Sequence, residues 1–266
     1  MGAVVQCDYD GLDALDINEA ILSNNVVEVF GADVDGTPCC SVSEPIVGRR
    51  DVRVDFHGAY VEVQADVSAV KLINGFTLEN ATFLTGEVED YEGPAITYEG
   101  EHSSIYPTTV RDVVVRGSAT NKTGVGVALV ADSDGPTRKV THTYFKGVHI
   151  HNYAVGLLFR DVHAESNLDW LNANYYQGRI SGSLRAIELE HANGNDITVD
   201  FQPSADALSG LRCHGCGNNR ISGMFWDSQQ VVEKVLQFDA DSLRNHIETS
   251  LHPSYIQNDG TDNVIH

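Results

Sequence analysis

Lysine is scarce in this chain. Five of its 266 residues are Lys (Lys71, Lys122, Lys139, Lys146 and Lys234), and 17 basic residues face 38 acidic ones. The formal charge of −21 is spread along the whole length and not gathered in a tail. Nucleic acid is therefore not expected as a partner, because phosphate binding requires a basic footprint. Such a surface repels itself in dilute salt. At about 1 M salt the screening length falls to about 3 Å and most of that penalty disappears. Long apolar runs are missing too, so no transmembrane helix is expected. The first residues carry no basic leader before the acids begin at Asp8, so a cleavable secretion signal is not expected either. Cysteine is sparse, at five. Cys39 and Cys40 are adjacent, Cys213 and Cys216 form a C-x-x-C, and Cys7 stands apart. A zinc site from the two pairs, with His214 as a spare ligand, is arithmetically available. The pairs lie about 170 residues apart, however, and no second C-x-x-C returns. Buried thiols packing as small hydrophobes are the expectation, with no metal and no cofactor.

What the chain does have is repetition. Val127, Leu157, Ile187, Leu211 and Leu236 each sit in a short apolar phrase, and they are separated by 30, 30, 24 and 25 residues. A second ladder, Ile197, Ile221 and Ile247, is separated by 24 and 26. Its phrase of turn residues followed by a polar residue and an aliphatic one also occurs at Lys146–Ile150, Gln177–Ile180 and Asp262–Ile265. Two ladders in step describe the coils of a wound ribbon, each coil supplying at least two short strands with period-2 alternation. Glu188 and Asp196 should point out where Ile187, Leu189 and Ile197 point in. Asn-Gly, Gly-Asn and Asn-Asn steps supply the corners, and Asn tolerates left-handed backbone and hydrogen-bonds along a stack. A β-sandwich expects turns every 8 to 12 residues and a propeller about 40 to 50 per blade, so neither accounts for paired ladders. In the amino half, Val26–Phe30, Val52–Phe56, Val70–Ile73, Phe76–Leu78 and Val113–Val115 read as strands. Ala14, Ile17 and Ile21 predict one helix over Asp13–Ser23, covering the open first coil.

The expected fold is all-β: a single-stranded, right-handed parallel β-helix over 25–266, preceded by an amino-terminal segment and capping helix over 1–24. The order of helix (Leu15, Ile17, Ala20, Ile21), strand (Val26–Phe30) and the aliphatic strand ending in glycine (Arg50–Gly58) resembles the pectate-lyase-like superfamily of parallel β-helices. The stretch Asp169–Gly182 is similar to coils of phage tail-spike and appendage proteins. The Asp-rich, Lys-poor surface resembles that of halophilic proteins. These likenesses cover most of the chain and imply a fold shared by lyases, hydrolases, adhesins and virion spikes, so function rests on the site.

Glycoside hydrolysis needs two carboxyl groups flanking a sugar. Asp132/Asp134, Asp239/Asp241 and Glu188/Glu190 offer pairs, which 38 acids guarantee by chance. The β-helical polygalacturonases carry Asn-Thr-Asp, Asp-Asp, His-Gly and Arg-Ile-Lys phrases. This chain has His214-Gly215 and Arg220-Ile221, but Ser222 follows where Lys is required, and the first two phrases are missing. The Arg-x-Pro-x-x-Arg phrase of pectate lyases is missing as well. No catalytic residue is assigned, and the acids read as a solvated face. His149 and His151 should project outward about 6.5 to 7 Å apart, a spacing open to a metal but read as surface. Trp170, Tyr175, Tyr176 and Trp226, with Asp169 and Asp227 as acceptors, are the candidate contacts: a subunit interface first, glycan stacking second, internal core third. Asn80-Ala81-Thr82 and Asn121-Lys122-Thr123 match the glycosylation triplet. The reading that unites these features is a virion structural protein of a halophilic virus. It would be a homotrimeric spike, turret or tail appendage on an extracellular particle in high salt, contacting other virion proteins and binding host-surface polysaccharide. A polysaccharide lyase or glycoside hydrolase on the same fold is the alternative.

Overall fold

The structure is a computed structural model that describes residues 2–9, 13–31, 38–100, 106–132, 138–162, 170–225 and 231–266. The chain opens with β1 (Gly2–Gln6), α1 (Asp13–Ser23) and β2 (Val26–Phe30). Short strands then follow: β3 (Cys40–Val42), β4 (Ile46–Val47), β5 (Arg53–Asp55), β6 (Tyr60–Val63), β7 (Val70–Lys71), β8 (Thr77–Glu79) and β9 (Thr82–Leu84). The middle coils carry β10 (Pro94–Glu99), β11 (Thr108–Arg111), β12 (Val114–Arg116), β13 (Val125–Ala131), β14 (Lys139–Thr141), β15 (Thr143–His151), β16 (Val155–Asp161), β17 (Trp170–Asn172) and β18 (Tyr175–Ser181). The last coils carry β19 (Arg185–Glu190), β20 (Asp196–Gln202), β21 (Ser209–His214), β22 (Arg220–Phe225), β23 (Leu236–Phe238), β24 (His246–Glu248), β25 (Ile256–Asn258) and β26 (Val264–Ile265). Every pairing among these strands is parallel, and each strand bonds to its counterpart one coil away. One sheet runs β1-β2-β5-β8-β11-β15-β18-β20-β22-β24-β26 and a second runs β4-β7-β10-β13-β16-β19-β21-β23-β25. This is a parallel β-helix.

The interior consists of columns of side chains, one per coil. In the second sheet Ile46, Val70, Ile96, Val127, Leu157, Ile187, Leu211, Leu236 and Ile256 stand in register. The five-residue ladder read from spacing is thus one column, extended at both ends. In the first sheet Val27, Val54, Leu78, Val110, Phe145, Tyr176, Ile197, Ile221 and Ile247 form another. A side chain buried in such a column contributes about 1.5–3 kcal/mol. Rings interlock between coils, as where Phe56 meets Phe83 edge-on with centroids 5.6 Å apart. A corner between the sheets is held by a polar ladder. The amide nitrogens of Asn174, Asn195, Asn219 and Asn245 each donate to Oδ1 of the Asn one coil on, ending at Asn263, at 3.0 Å in every case. The backbone N–H of each donates to the same oxygen at 2.9–3.1 Å. The residue before each rung is left-handed, with φ of 54° at Ala173, 67° at Gly194 and 53° at Asn218.

The helix covers the first coil as predicted, burying Ala14, Ile17 and Ile21. The amino-terminal segment does more than lead into it, since β1 pairs with β2 and extends the first sheet by a strand. Three readings are corrected. The cysteines are not all thiols: Cys7 pairs with Cys40 and Cys213 with Cys216, leaving Cys39 outside the two disulfides. The phrase at Gln177–Ile180 does not stack on Ile197, because β18 is long enough to carry two inward positions. Ile180 aligns with Phe201, and Tyr176 aligns with Ile197. Tyr176 is therefore a core residue with no exposed surface, and not an interface or ligand contact. Its hydroxyl donates to the carbonyl of Val148 at 3.0 Å, which is how a buried phenol avoids an orphaned donor.

Candidate functional site

Strands β15, β18, β20 and β22 stack on successive coils, and a bulge between Lys146 and Val148 breaks the register of β15. Lys146, Gln177, Thr198 and Ser222 line up as one outer row, and His149, Arg179, Asp200 and Met224 as a second. Between these walls Gly178, Val199 and Gly223 form the floor. A Cβ at Gly178 would overlap the carbonyl oxygen of Val148, and one at Gly223 that of Val199, so the alternating glycines let the coils close up and keep the trough open. The result is a groove of about 490 Å³ along the solenoid axis, with Asp112 at one end and Met224 at the other.

Its walls carry both signs of charge. Arg179 Nε donates to Asp200 Oδ2 at 3.0 Å, while Asp200 Oδ1 is enclosed without a hydrogen-bond partner among the described residues. Lys146 is exposed and makes no ion pair among the described residues. His149 is exposed and His151 half-buried, their ring centroids 6.5 Å apart as the strand period requires. Ser181 Oγ lies 2.6 Å from His151 Nδ1. Burial, then the charges of Arg116, His149 and Arg179, push the His151 imidazole down to about 4, so it is neutral at physiological pH. Beside the Lys146–Gln177 wall, Tyr144 and Tyr175 stand in register on the outer face. Tyr144 is 42% exposed, and Tyr175 donates from its hydroxyl to Gln177 Oε1 at 3.2 Å. Two phenol rings one strand spacing apart offer a stacking platform next to hydrogen-bonding groups.

Carboxylates in two of the acid pairs are engaged by cations or hydrogen bonds. Glu190 is held below the usual carboxylate range by Arg160, which grips both its oxygens. Burial would raise Asp239, but Ser242, the Gly215 N–H and His214 hold it low. Glu188 faces Arg212 at 3.4 Å. A general acid needs a displacement opposite to that of Glu190 and Asp239. Asp134 lies outside the described residues. Within the groove, Asp112 and Asp200 are three coils apart, about 14 Å along the axis at the usual strand spacing, and hydrolysis requires about 5–9.5 Å. A second hollow of about 550 Å³ on the outer face of the other sheet has an apolar floor of Val125, Ala128 and Leu158, with Glu99, Asp132, Arg138 and Arg160 at its rim.

Of the contact residues picked from sequence, Tyr175 stands beside this groove in register with Tyr144, and His149, weighed as a metal ligand, lines it. Trp170 begins β17, opposite Lys139, and its side chain is not described; Asp169, Trp226 and Asp227 lie outside the described residues. Tyr144, Lys146 and Arg179 were missed as site residues. The signal for Tyr144 was present, since Thr143-Tyr144-Phe145 and Asn174-Tyr175-Tyr176 occupy equivalent positions one coil apart. Asn80, in the first glycosylation triplet, uses its amide to bond Asp55 Oδ1 at 2.9 Å.

No protein-family model matches the chain, and no curated protein does. Among solved structures it is similar to the A-module of the mannuronan C-5 epimerase AlgE4 of Azotobacter vinelandii, at 12% identity and a TM-score of 0.26 over 98% of this chain and 94% of that one. The fold is read from the chain's own parallel sheets, and the chemistry from the groove.

Proposed function

We propose that this β-helix is a polysaccharide-binding structural protein that holds a glycan chain in the groove without cleaving it. The observation that carries the reading is the groove itself. Lys146, His149, Gln177, Arg179, Thr198 and Asp200 face one axial trough on successive coils, with Tyr144 and Tyr175 alongside. Each coil presents donors and acceptors about 4.8 Å from the last, a repeat suited to an extended sugar chain lying along the axis. Lys146 and Arg179 favour an acidic sugar, since they stand out on a chain of formal charge −21. Glu190 and Asp239, held low by their partners, support binding over hydrolysis. The setting we propose is the particle of a halophilic virus, with the chain as a spike, turret or tail appendage; the acidic surface supports it through salt screening.

The test is incubation with acidic and neutral polysaccharides in molar salt, reading both retention and products. Retention of an acidic polysaccharide, weakened by Lys146→Ala and Arg179→Ala, with no new reducing ends or unsaturated sugars, is expected. Products that disappear in those variants would replace this reading with a polysaccharide lyase or hydrolase. Peptides of the chain in purified particles are expected; their presence only as free protein would overturn the virion setting.

A further inference from the structure

We propose that a hollow on the outer face of β6, β9 and β12 binds a zwitterion of the ω-amino acid class, its ammonium at Glu62 and Glu87 and its carboxylate at Arg116. The hollow holds about 460 Å³, and all three side chains line it. The three strands pair in register, which sets Glu62, Leu84 and Arg116 in one row on successive coils. Val61, Phe83 and Val115 precede them and are fully buried, so strand alternation turns the row outward. Glu62 and Arg116 are therefore two strand spacings apart, about 9.6 Å. The half-buried Leu84 lies between them as an apolar floor.

Neither end is neutralised within the chain. Tyr9 donates its hydroxyl to Glu62 Oε2, and Glu62 Oε1 meets no donor among the described residues. Glu87 and Arg116 are exposed, and neither makes an ion pair among the described residues. Burial, then the charge of Glu87, raise the Glu62 carboxyl above its ordinary value. An ammonium seated at the two carboxylates would oppose that shift. At the other end Arg116 offers the planar fork that a carboxylate fits. Its neighbour one coil on is His151, kept neutral in part by Arg116 itself, so no negative charge competes there. A Cβ at Gly86 would stand 3.2 Å from the Gly117 carbonyl, so the coils meet on bare backbone and leave room for an aliphatic stem over Leu84. A ligand with one charge would meet one end and strip water from the other, so the hollow selects for both charges on one molecule. An anionic sugar, the ligand proposed for the groove, is repelled by Glu62 and Glu87.

The experiment is calorimetric titration of the full chain with ω-aminooctanoate, ω-aminobutyrate, octanoate and octylamine. ω-Aminooctanoate is expected to bind at one site, about tenfold or more tighter than octanoate or octylamine, each of which leaves one end unmet. ω-Aminobutyrate should also bind more weakly, because its stem is too short to reach both ends. In Arg116→Gln the advantage over octylamine should vanish, and in Glu62→Gln/Glu87→Gln the advantage over octanoate. Lys146→Ala/Arg179→Ala, in the polysaccharide groove, should leave these affinities unchanged, so the two sites are tested separately. Each variant is first shown to keep the native circular dichroism spectrum. Should the Glu62 change fail to fold, Arg116→Gln and Glu87→Gln, both on exposed side chains, still decide. No binding of ω-aminooctanoate, binding no tighter than that of octanoate and octylamine, or an affinity untouched by Arg116→Gln, would overturn the proposal.

Discussion

Replacing Asn219 with Ala tests whether the asparagine ladder holds the coils together. Asn219 is 1% exposed. Its amide donates to Asn245 Oδ1 and to the carbonyl of Ala192, both at 3.0 Å. Its Oδ1 accepts the backbone N–H and the side-chain amide of Asn195, again at 3.0 Å each. Truncation removes all four bonds. The Ala192 carbonyl keeps the N–H of Gly217 and the Asn195 amide keeps Leu171, but the Asn195 backbone N–H is left buried with nothing to meet. At about 1 kcal/mol for each of three net bonds, and about 1–3 kcal/mol for the fourth, whose donor is orphaned, the expected loss is about 4–6 kcal/mol. For a chain of this size that lowers the melting temperature by roughly 10 °C. Thermal unfolding in molar salt reads it, with Gln257→Ala, on an exposed side chain, expected to change stability by less than about 0.5 kcal/mol. A loss below about 1 kcal/mol for Asn219→Ala would refute the reasoning.

Three further outcomes are expected. Ile187→Asp places a carboxylate between Leu157 and Leu211 in a fully buried column; it should abolish soluble folded protein, and a folded variant with a native circular dichroism spectrum would contradict the register. Raising salt from about 0.1 M to about 1 M shortens the screening length from about 10 Å to about 3 Å. The melting temperature should rise, and an unchanged calorimetric transition would count against salt adaptation. His151 is pushed down to about 4 from 6.5 by burial and neighbouring cations. Because the unfolded chain then binds the proton more tightly, its stability contribution is present above pH about 6.5 and lost as pH falls through about 4. His151→Gln should flatten that part of the stability profile, and an NMR titration placing His151 near 6.5 would refute it.

Much of the fold was legible because a solenoid repeats its constraints. Val127, Leu157, Ile187, Leu211 and Leu236 announced their column because a coil of fixed length returns each inward side chain to the same place. Asp13–Ser23 was legible as a helix from its apolar stripe. The Cys7–Cys40 pairing was not, since it depends on β1 folding back beside β2 across the intervening helix. Tyr176 was misread because a long strand holds two inward positions, and sequence spacing alone matched the wrong one to Ile197. The groove stayed hidden because its two walls are rows that cross the coils, and nothing in the spacing of Lys146 and His149 reveals the bulge between Lys146 and Val148.

The most direct test of the groove as a glycan site is calorimetric titration with acidic oligosaccharides of increasing length in molar salt. The trough spans five successive coils, from Asp112 to Gly223, or about 19 Å. Affinity should climb with each added sugar, level off at about four or five, and collapse to short-chain values in Lys146→Ala/Arg179→Ala. Affinity indifferent to chain length, or unchanged in that double variant, would mean that the sugar chain does not lie along these coils.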